Sequence, residues 1–335
     1  MRSRLSGCGI VGRWLVEERE LDVAQVLAGL HEPVPEGHRS GLIALVGRPN
    51  TGKSTLLNRV VGTKVAIVTP VPGTTRNAIR GVLTTDDAQL VFLDTPGLAK
   101  PRTLLARRLN DLVRDTWAGV DLLCFITDVA AGIGPGDAFL ARELADVSTP
   151  VIAVANKIDR LSPKERMLPE LAKLEQLGSP FGGFADIVPV SAHSGDNVDR
   201  LVEVLTSHLP EGPRLFAGGQ VSDQPERQLA AEILREKLIE AARDELPHSI
   251  AVTVDEVAPD PERDDLLRID AVIHVERESQ KPIVIGRGGE QLKAAATAAR
   301  TELETIFGSK VYLSTHVRVA KEWQRDPKQL GRLGY

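Results

Sequence analysis

Cysteine is nearly absent. The 335 residues contain two, Cys8 and Cys124. Neither stands at metal-ligand spacing, and two cysteines make no disulfide framework. A reducing compartment fits that usage. Aromatic residues are scarce at 4%, so base stacking is not the main way this chain would hold nucleic acid. No apolar run approaches the ~20 residues of a membrane-spanning helix. The N-terminal "MRSRLSGCGIVGRWLVEERE" has basic residues but no apolar h-region, which argues against a signal peptide. An excess of positive charge is missing too. The formal net charge is −5, which counts against a nucleic-acid coat and leaves room for a local basic patch.

What is present is ordinary for a globular protein, with 42% hydrophobic and 26% charged residues. At roughly 100–200 residues per domain the length suggests two domains. Residues 1–39 form an N-terminal extension with no attached chemistry. Within it Leu21, Val26, Leu27 and Leu30 share one face of a short amphipathic helix. From 40 to 209 short apolar strands ("GLIALVG", "IRGVLTT", "QLVFLDT", "DLLCFIT", "PVIAVAN", "DIVPVS") alternate with helical stretches. "TTDDAQ" joins two of the strands as an antiparallel hairpin. The pattern predicts an α/β fold with a mostly parallel sheet covered on both faces, binding its ligand at the carboxyl ends of the strands. "LPEGPRLFAGGQVSDQP" is a Pro- and Gly-rich linker, over 210–225. From 226 to 335 the reading is a smaller α+β domain. It has a long helix with an apolar stripe, two alternating strands, "KPIVI" as a strand or extended segment, a glycine turn, a helix and a final strand.

"GRPNTGKST" completes GxxxxGK[ST] with Gly47, Gly52, Lys53 and Ser54, between a strand and a helix. Its glycines, with Thr51 and Thr55 beside them, let backbone N–H groups converge on phosphate oxygens. The helix N-terminus adds positive potential. Lys53 reaches the β- and γ-phosphates and Ser54 ligates Mg²⁺. "DTPG" ends the third strand. Asp94 there holds Mg²⁺ through its water shell, and the Gly97 N–H meets a γ-phosphate. "NKID", comprising Asn156, Lys157 and Asp159, ends "PVIAVA". The Asp159 carboxylate matches the parallel N1–H and N2 donors of guanine, whereas adenine offers no such pair; such a loss discriminates by ~10⁴ or more. The nucleotide is therefore GTP or GDP. "SAHSG" places Ser191, and the backbone N–H of Ala192, near guanine O6. "VIGRGGEQLK" carries Gly286, Arg287, Gly288 and Gly289, a GxxG turn of the kind that clamps about four unpaired nucleotides in KH domains. Lys293 follows on the next helix. Residues 281–335 hold ten Lys and Arg against five Asp and Glu, which adds Arg318, Lys321 and Arg325 to the candidate RNA face.

The order of these motifs resembles the translation-factor-related GTPases. "TTR" in the first switch segment, with "AEILREKLIEAARDELPHSIAV" and "ERESQKPIVIGRGGEQLK" later, resembles the Era family, over about 41–325. The helix–strand–strand–helix–strand order of the second domain resembles a type II KH domain. The resemblance implies that Thr75 is a Mg²⁺ ligand in the GTP state, so that Lys53, Thr75 and Gly97 serve the reaction itself. It implies that Leu98, where Ras-like enzymes have a glutamine, leaves another device to stabilise the transition state. It further implies a K⁺ ion near Asn50 in that role. Turnover without a partner is expected near a Ras-type ~10⁻⁴–10⁻³ s⁻¹. One departure is "PGTTRN" where the family more often has "PQTTRH", so Gly73 should loosen the loop. By resemblance the protein is a monomeric switch in the cytoplasm, partly peripheral to the inner face of the cell membrane. It would bind the 3′ end of 16S ribosomal RNA and assist maturation of the 30S subunit. Two other readings stay open: a signalling GTPase whose second domain binds a protein partner or a membrane surface, and an NTPase without base selectivity.

Overall fold

The structure is a computed structural model and describes residues 33–76, 79–98, 103–241 and 249–335. The helix expected around Leu21–Leu30, and Cys8, lie outside the described residues. The first sheet has six strands: β1 (Arg39–Val46), β2 (Ile79–Thr84), β3 (Ala88–Asp94), β4 (Leu122–Asp128), β5 (Val151–Asn156) and β6 (Asp186–Pro189). Their spatial order is β2-β3-β1-β4-β5-β6. Only the β2–β3 pair is antiparallel. Both expectations for this sheet, mostly parallel with one hairpin, are met. Every residue of β3 and β5 is buried, which explains why these strands read as continuous apolar runs.

Helices α1 (Lys53–Val61), α2 (Leu104–Trp117), α3 (Pro135–Glu143), α4 (Met167–Leu177) and α5 (Val198–His208) follow β1, β3, β4, β5 and β6. Ile43, Leu45, Phe92, Cys124 and Ile152 pack with α1 and α5 in one cluster. Ala44, Val46, Leu123 and Phe125 pack with Val113 and Trp117 of α2 and Leu140 of α3 in another. Assignment of alternate strand residues to two different clusters is what a sheet covered on both sides produces. Cys124 is fully buried, and burial pushes its thiol up to about 12, so it is an inert core residue.

Residues 210–225 are strapped to the first sheet. The Gln89 amide holds them at three points, accepting from the N–H groups of Leu215 and Phe216 and donating to the Phe216 carbonyl. Val82 N–H donates to the Val221 carbonyl at 2.9 Å. A chain so held passes to the second unit without a free span.

That unit contains α6 (Glu226–Ala241), β7 (Ala251–Asp260), β8 (Arg263–Val275), α7 (Lys281–Ile285), α8 (Glu290–Phe307), β9 (Lys310–Val319) and α9 (Pro327–Arg332). β7 pairs with β8 antiparallel, and β9 adds to β8 in parallel. The segment "KPIVI" corrects an expectation: it is helical, not extended. Pro282 occupies the first turn, where its missing N–H costs nothing. Only Val284 of the run is buried, while Ile283 is half exposed. Three apolar residues with one buried position are too short a run for burial to favour strand over helix.

Candidate functional site

The carboxyl ends of β1, β3 and β5 open onto one cleft of about 480 Å³, lined by residues of 49–55, 67–75, 156–160, Gly97, Ala192 and His193. That volume is in the range of small-molecule sites. The glycines of its floor are required. A Cβ on Gly47 would stand 2.5 Å from the Ile126 carbonyl, and one on Gly52 would stand 2.3 Å from Asn156 Nδ2. Gly52 also has φ +99°. No side chain caps the N-terminus of α1, so its first N–H groups remain available to an anion.

Lys53 is buried and donates to the carbonyls of Gly47 and Arg48 at 3.0 and 2.9 Å. Burial lowers its pKa to about 8, against the opposing pull of Asp94. Asp94 is fully buried at the end of β3. Burial raises its pKa, opposed by Lys53 and by the Ser54 hydroxyl, which donates to Oδ2 at 2.6 Å. Its other oxygen, Oδ1, is buried and has no hydrogen-bond partner among the described residues. Thr75 Oγ1 stands 3.4 Å from Ser54 Oγ. An orphaned carboxylate oxygen beside two hydroxyls is a hard-oxygen donor set that suits Mg²⁺ shared with a phosphate chain. No group of three or more His, Cys, Asp or Glu that could hold a metal occurs among the described residues. Gly97 abuts the P-loop, for a Cβ there would come within 3.1 Å of Pro49. Leu98 points away into the cluster around Val113 and Trp117.

The base end is equally ordered. Asn156 is buried; it donates to the Thr51 carbonyl at 2.7 Å and accepts from the Ala192 N–H at 3.0 Å. The Ala192 N–H expected at guanine O6 thus already has an intramolecular acceptor. Ser191 Oγ donates to Asp159 Oδ1 at 2.6 Å and fixes that carboxylate. Lys157 spans the cleft wall, donating to the Asn50 carbonyl and to Asp128 Oδ2, both at 2.6 Å. Asp128 was not singled out from the sequence, nor was Asp137, which is fully buried and accepts from Arg48 Nε at 2.8 Å. A lone acid at a strand or helix end carries no spacing signal. Asn50 has φ +63° and its amide donates to the Pro70 carbonyl at 2.8 Å. Gly73 has φ +75° with open space where a Cβ would be. Thr51 is buried and Thr55 half-buried on the same wall. Residues 77–78 and 99–102 of the two switch loops lie outside the described residues.

In the second unit Gly286, Gly288 and Gly289 all have positive φ, between α7 and α8. Gly286 is forced, since a Cβ would meet Gln291 Cβ at 2.6 Å; Gly288 and Gly289 face open space. Arg287 and Lys293 are exposed beside this turn. The other basic candidates are not gathered with them. Arg318 lines a cavity with the start of α6 and residues 329–335, and Lys321 and Arg325 line one with Glu276, Arg277 and Glu278; neither cavity includes the glycine turn.

Comparison with known proteins covers both units. A family model described as "50S ribosome-binding GTPase" matches residues 42–157, and one described as "KH domain" matches 245–324. The GTPase Era of Mycobacterium tuberculosis (strain H37Rv) is 51% identical over 299 residues, 88% of this chain and 98% of that protein. That of Mycobacterium avium is 51% identical over 89% of this chain and 99% of its own. A crystal structure of Era in complex with MgGDPNP and nucleotides 1506–1542 of 16S ribosomal RNA superimposes with a TM-score of 0.85 at 39% identity, covering 89% of this chain and 99% of that one. An Aquifex aeolicus Era variant bound to GDP and AlF4⁻ gives a TM-score of 0.83 at 39% identity over the same share of each chain.

Proposed function

The chain belongs to the Era family of GTPases, and from that premise we propose that it is a GTP-driven switch that grips the 3′ end of 16S ribosomal RNA and assists maturation of the 30S subunit. The observation that carries the proposal is one chain holding both a guanine-nucleotide cleft and an open GxxG turn, in the arrangement of the RNA-bound Era structure. The division we adopt is a GTPase domain over 40–209, a linker over 210–225 and a KH domain over 226–335.

Within the cleft, the P-loop N–H groups of 47–55 and the Lys53 ammonium hold the phosphate chain. Ser54, Thr75 and Asp94 are the residues that would hold Mg²⁺. That ion supplies neutralisation of charge on the β- and γ-phosphates when bound. The Gly97 N–H reports the γ-phosphate, and Asp159 reads guanine with Asn156, Ser191 and Ala192 as its support. Asp159→Asn is therefore expected to move preference from GTP to XTP; unchanged GTP affinity would refute the base assignment. Leu98 offers no group to orient water, and no described side chain is placed here as an arginine finger. We assign that role to K⁺ at Asn50. The Asn50→Ala variant should lose the difference in turnover between KCl and NaCl, and a retained difference removes K⁺ from the scheme.

On the KH side, Arg287 and Lys293 stand beside the glycine turn, whereas Arg318 and Lys321 would meet only RNA that runs beyond it. Titration with labelled RNA matching the 16S 3′ end tests the RNA reading. Affinity should fall steeply with salt and with Gly288→Asp, which sets a carboxylate where phosphate would lie. Affinity indifferent to both favours a protein or membrane partner for the second domain. No helix among the described residues is long and apolar enough to cross a membrane; peripheral contact with the inner face of the cell membrane stays part of the proposal. The protein is expected to act as a monomer.

A further inference from the structure

The first switch is held from outside the GTPase domain. The Thr74 carbonyl accepts from Arg235 Nη2 of α6. Arg235 is buried, and Glu232 on the same helix orients it at 3.1 Å and 2.5 Å. Two residues on, Arg76 is also buried. Its Nη1 donates to the Ile250 carbonyl at 2.8 Å and stands 3.4 Å from the Tyr335 hydroxyl. Its guanidinium carbon is 5.2 Å from the centre of the Trp323 ring and 5.5 Å from that of Tyr335. The two rings stack on each other at 5.5 Å. Thr75 lies between these anchors, with its hydroxyl 3.4 Å from Ser54 Oγ.

The same aromatic pair is tied to the helix that follows the second switch. Arg108 of α2 donates to the Tyr335 carbonyl at 2.9 Å, and the Leu105 N–H donates to the Gln324 carbonyl at 3.1 Å. Leu105 packs in one cluster with Trp323, Leu330 and Leu333. Trp323 is itself pinned, its Nε1–H donating to the Ser249 carbonyl at 3.0 Å. Segments attached to both switches therefore converge on residues 320–335.

We propose that Tyr335, stacked on Trp323, is a positioning residue of the GTPase reaction: through Arg76 it places Thr75 of the first switch. The chemistry is economical. A guanidinium buried against two ring faces has few alternative positions, because leaving them exposes the rings and strands a buried cation. One peptide unit then separates the fixed Arg76 from Thr75, and Arg235 fixes the other side. Nucleotide that needs Thr75 should feel Tyr335, and nucleotide that does not should be indifferent to it. The inference rests on the reading of Thr75 as a ligand used in the GTP state.

The test is made on the full chain with fluorescent GDPNP and GDP. Tyr335→Ala should weaken GDPNP roughly two- to thirtyfold, the range that a cation–π contact spans from exposed to desolvated sites, and raise the Mg²⁺ concentration needed to retain it. GDP affinity should stay unchanged, and Tyr335→Phe should restore most of the loss. Arg108→Gln, which loosens the Tyr335 backbone without emptying the cluster, should shift the ratio in the same direction and serves if Tyr335→Ala fails to fold. A lower melting temperature with the GDPNP-to-GDP ratio unmoved would make the contact merely structural and overturn the proposal. Thr75→Ala separates the two levels. A ratio that it moves and the Tyr335 and Arg108 variants do not rejects the clamp alone. A ratio that Thr75→Ala leaves unmoved rejects the reading of Thr75, and the clamp's role falls with it.

Discussion

Lys53, proposed to hold the phosphate chain, sits in an unfavourable location for a charge. Burial has taken its pKa down to about 8, against ~10.4 for a free side chain. A lysine depressed on folding binds fewer protons in the folded chain than in the unfolded one between those values. Stability of the empty protein should therefore rise with pH across that window. Nucleotide works in the opposite direction, since phosphate needs the ammonium form. GDP affinity should be level below pH 8 and fall about tenfold per pH unit above it, until the pKa of the bound state is reached. Isothermal titration from pH 7 to 9.5 reads this directly, and a flat profile would mean that Lys53 stays charged without nucleotide. Leu98 supports a second prediction. Its side chain is in the core with Val113 and Trp117, so Leu98→Gln would bury an amide and not present it to water. The expected result is a loss of about 1–3 kcal/mol in stability and no gain in turnover. A faster enzyme would show that this side chain can turn to the cleft.

The glycine turn between α7 and α8 divides into two kinds of position. Gly286 has φ 76° and ψ 173°, a region open almost only to glycine, and it has no room for a Cβ. Gly288 has φ 61° and ψ 14°, which Asn and Asp tolerate, with open space around it. Gly286→Ala should lower the melting temperature of the KH domain, whereas Gly288→Asn should leave it nearly unchanged and affect RNA alone. Equal melting shifts would contradict this division. The same stretch shows where sequence reading stops. Long periodic helices and fully buried strands were legible, because 3.6-residue and continuous apolar patterns have no rival at that length. "KPIVI" was not: five residues with one buried position satisfy helix and strand alike, and the choice falls to packing against the rest of the domain. That the P-loop, Asp94, Asn156 and Asp159 would gather at one cleft was legible, because the motifs that contain them fall at strand ends at fixed spacings. Asp128, Asp137 and Arg235 were not, because their partners are 29, 89 and 161 residues away in sequence, where no spacing rule connects them.

Across the whole molecule the GTPase and KH domains meet at the first switch. Besides the anchors at Thr74 and Arg76, Lys64 Nζ is 2.6 Å from Glu236 Oε2 of α6 and also pairs with Glu302 of α8. α8 starts at the glycine turn, so one helix runs from that turn to an ion pair with Lys64, three residues past the end of α1. The proposed switch would use this contiguity, and it carries a thermodynamic obligation: a factor by which GTP changes RNA affinity is the factor by which RNA changes GTP affinity. The most direct measurement is the affinity of the full chain for RNA matching the 16S 3′ end, with GDPNP and with GDP bound, paired with the nucleotide affinities with and without that RNA. Tighter RNA binding with GDPNP than with GDP, and the same ratio in the reverse titration, is the predicted result. Equal RNA affinity in the two nucleotide states would contradict the account, leaving a GTPase and an RNA-binding domain that share a chain without coupling.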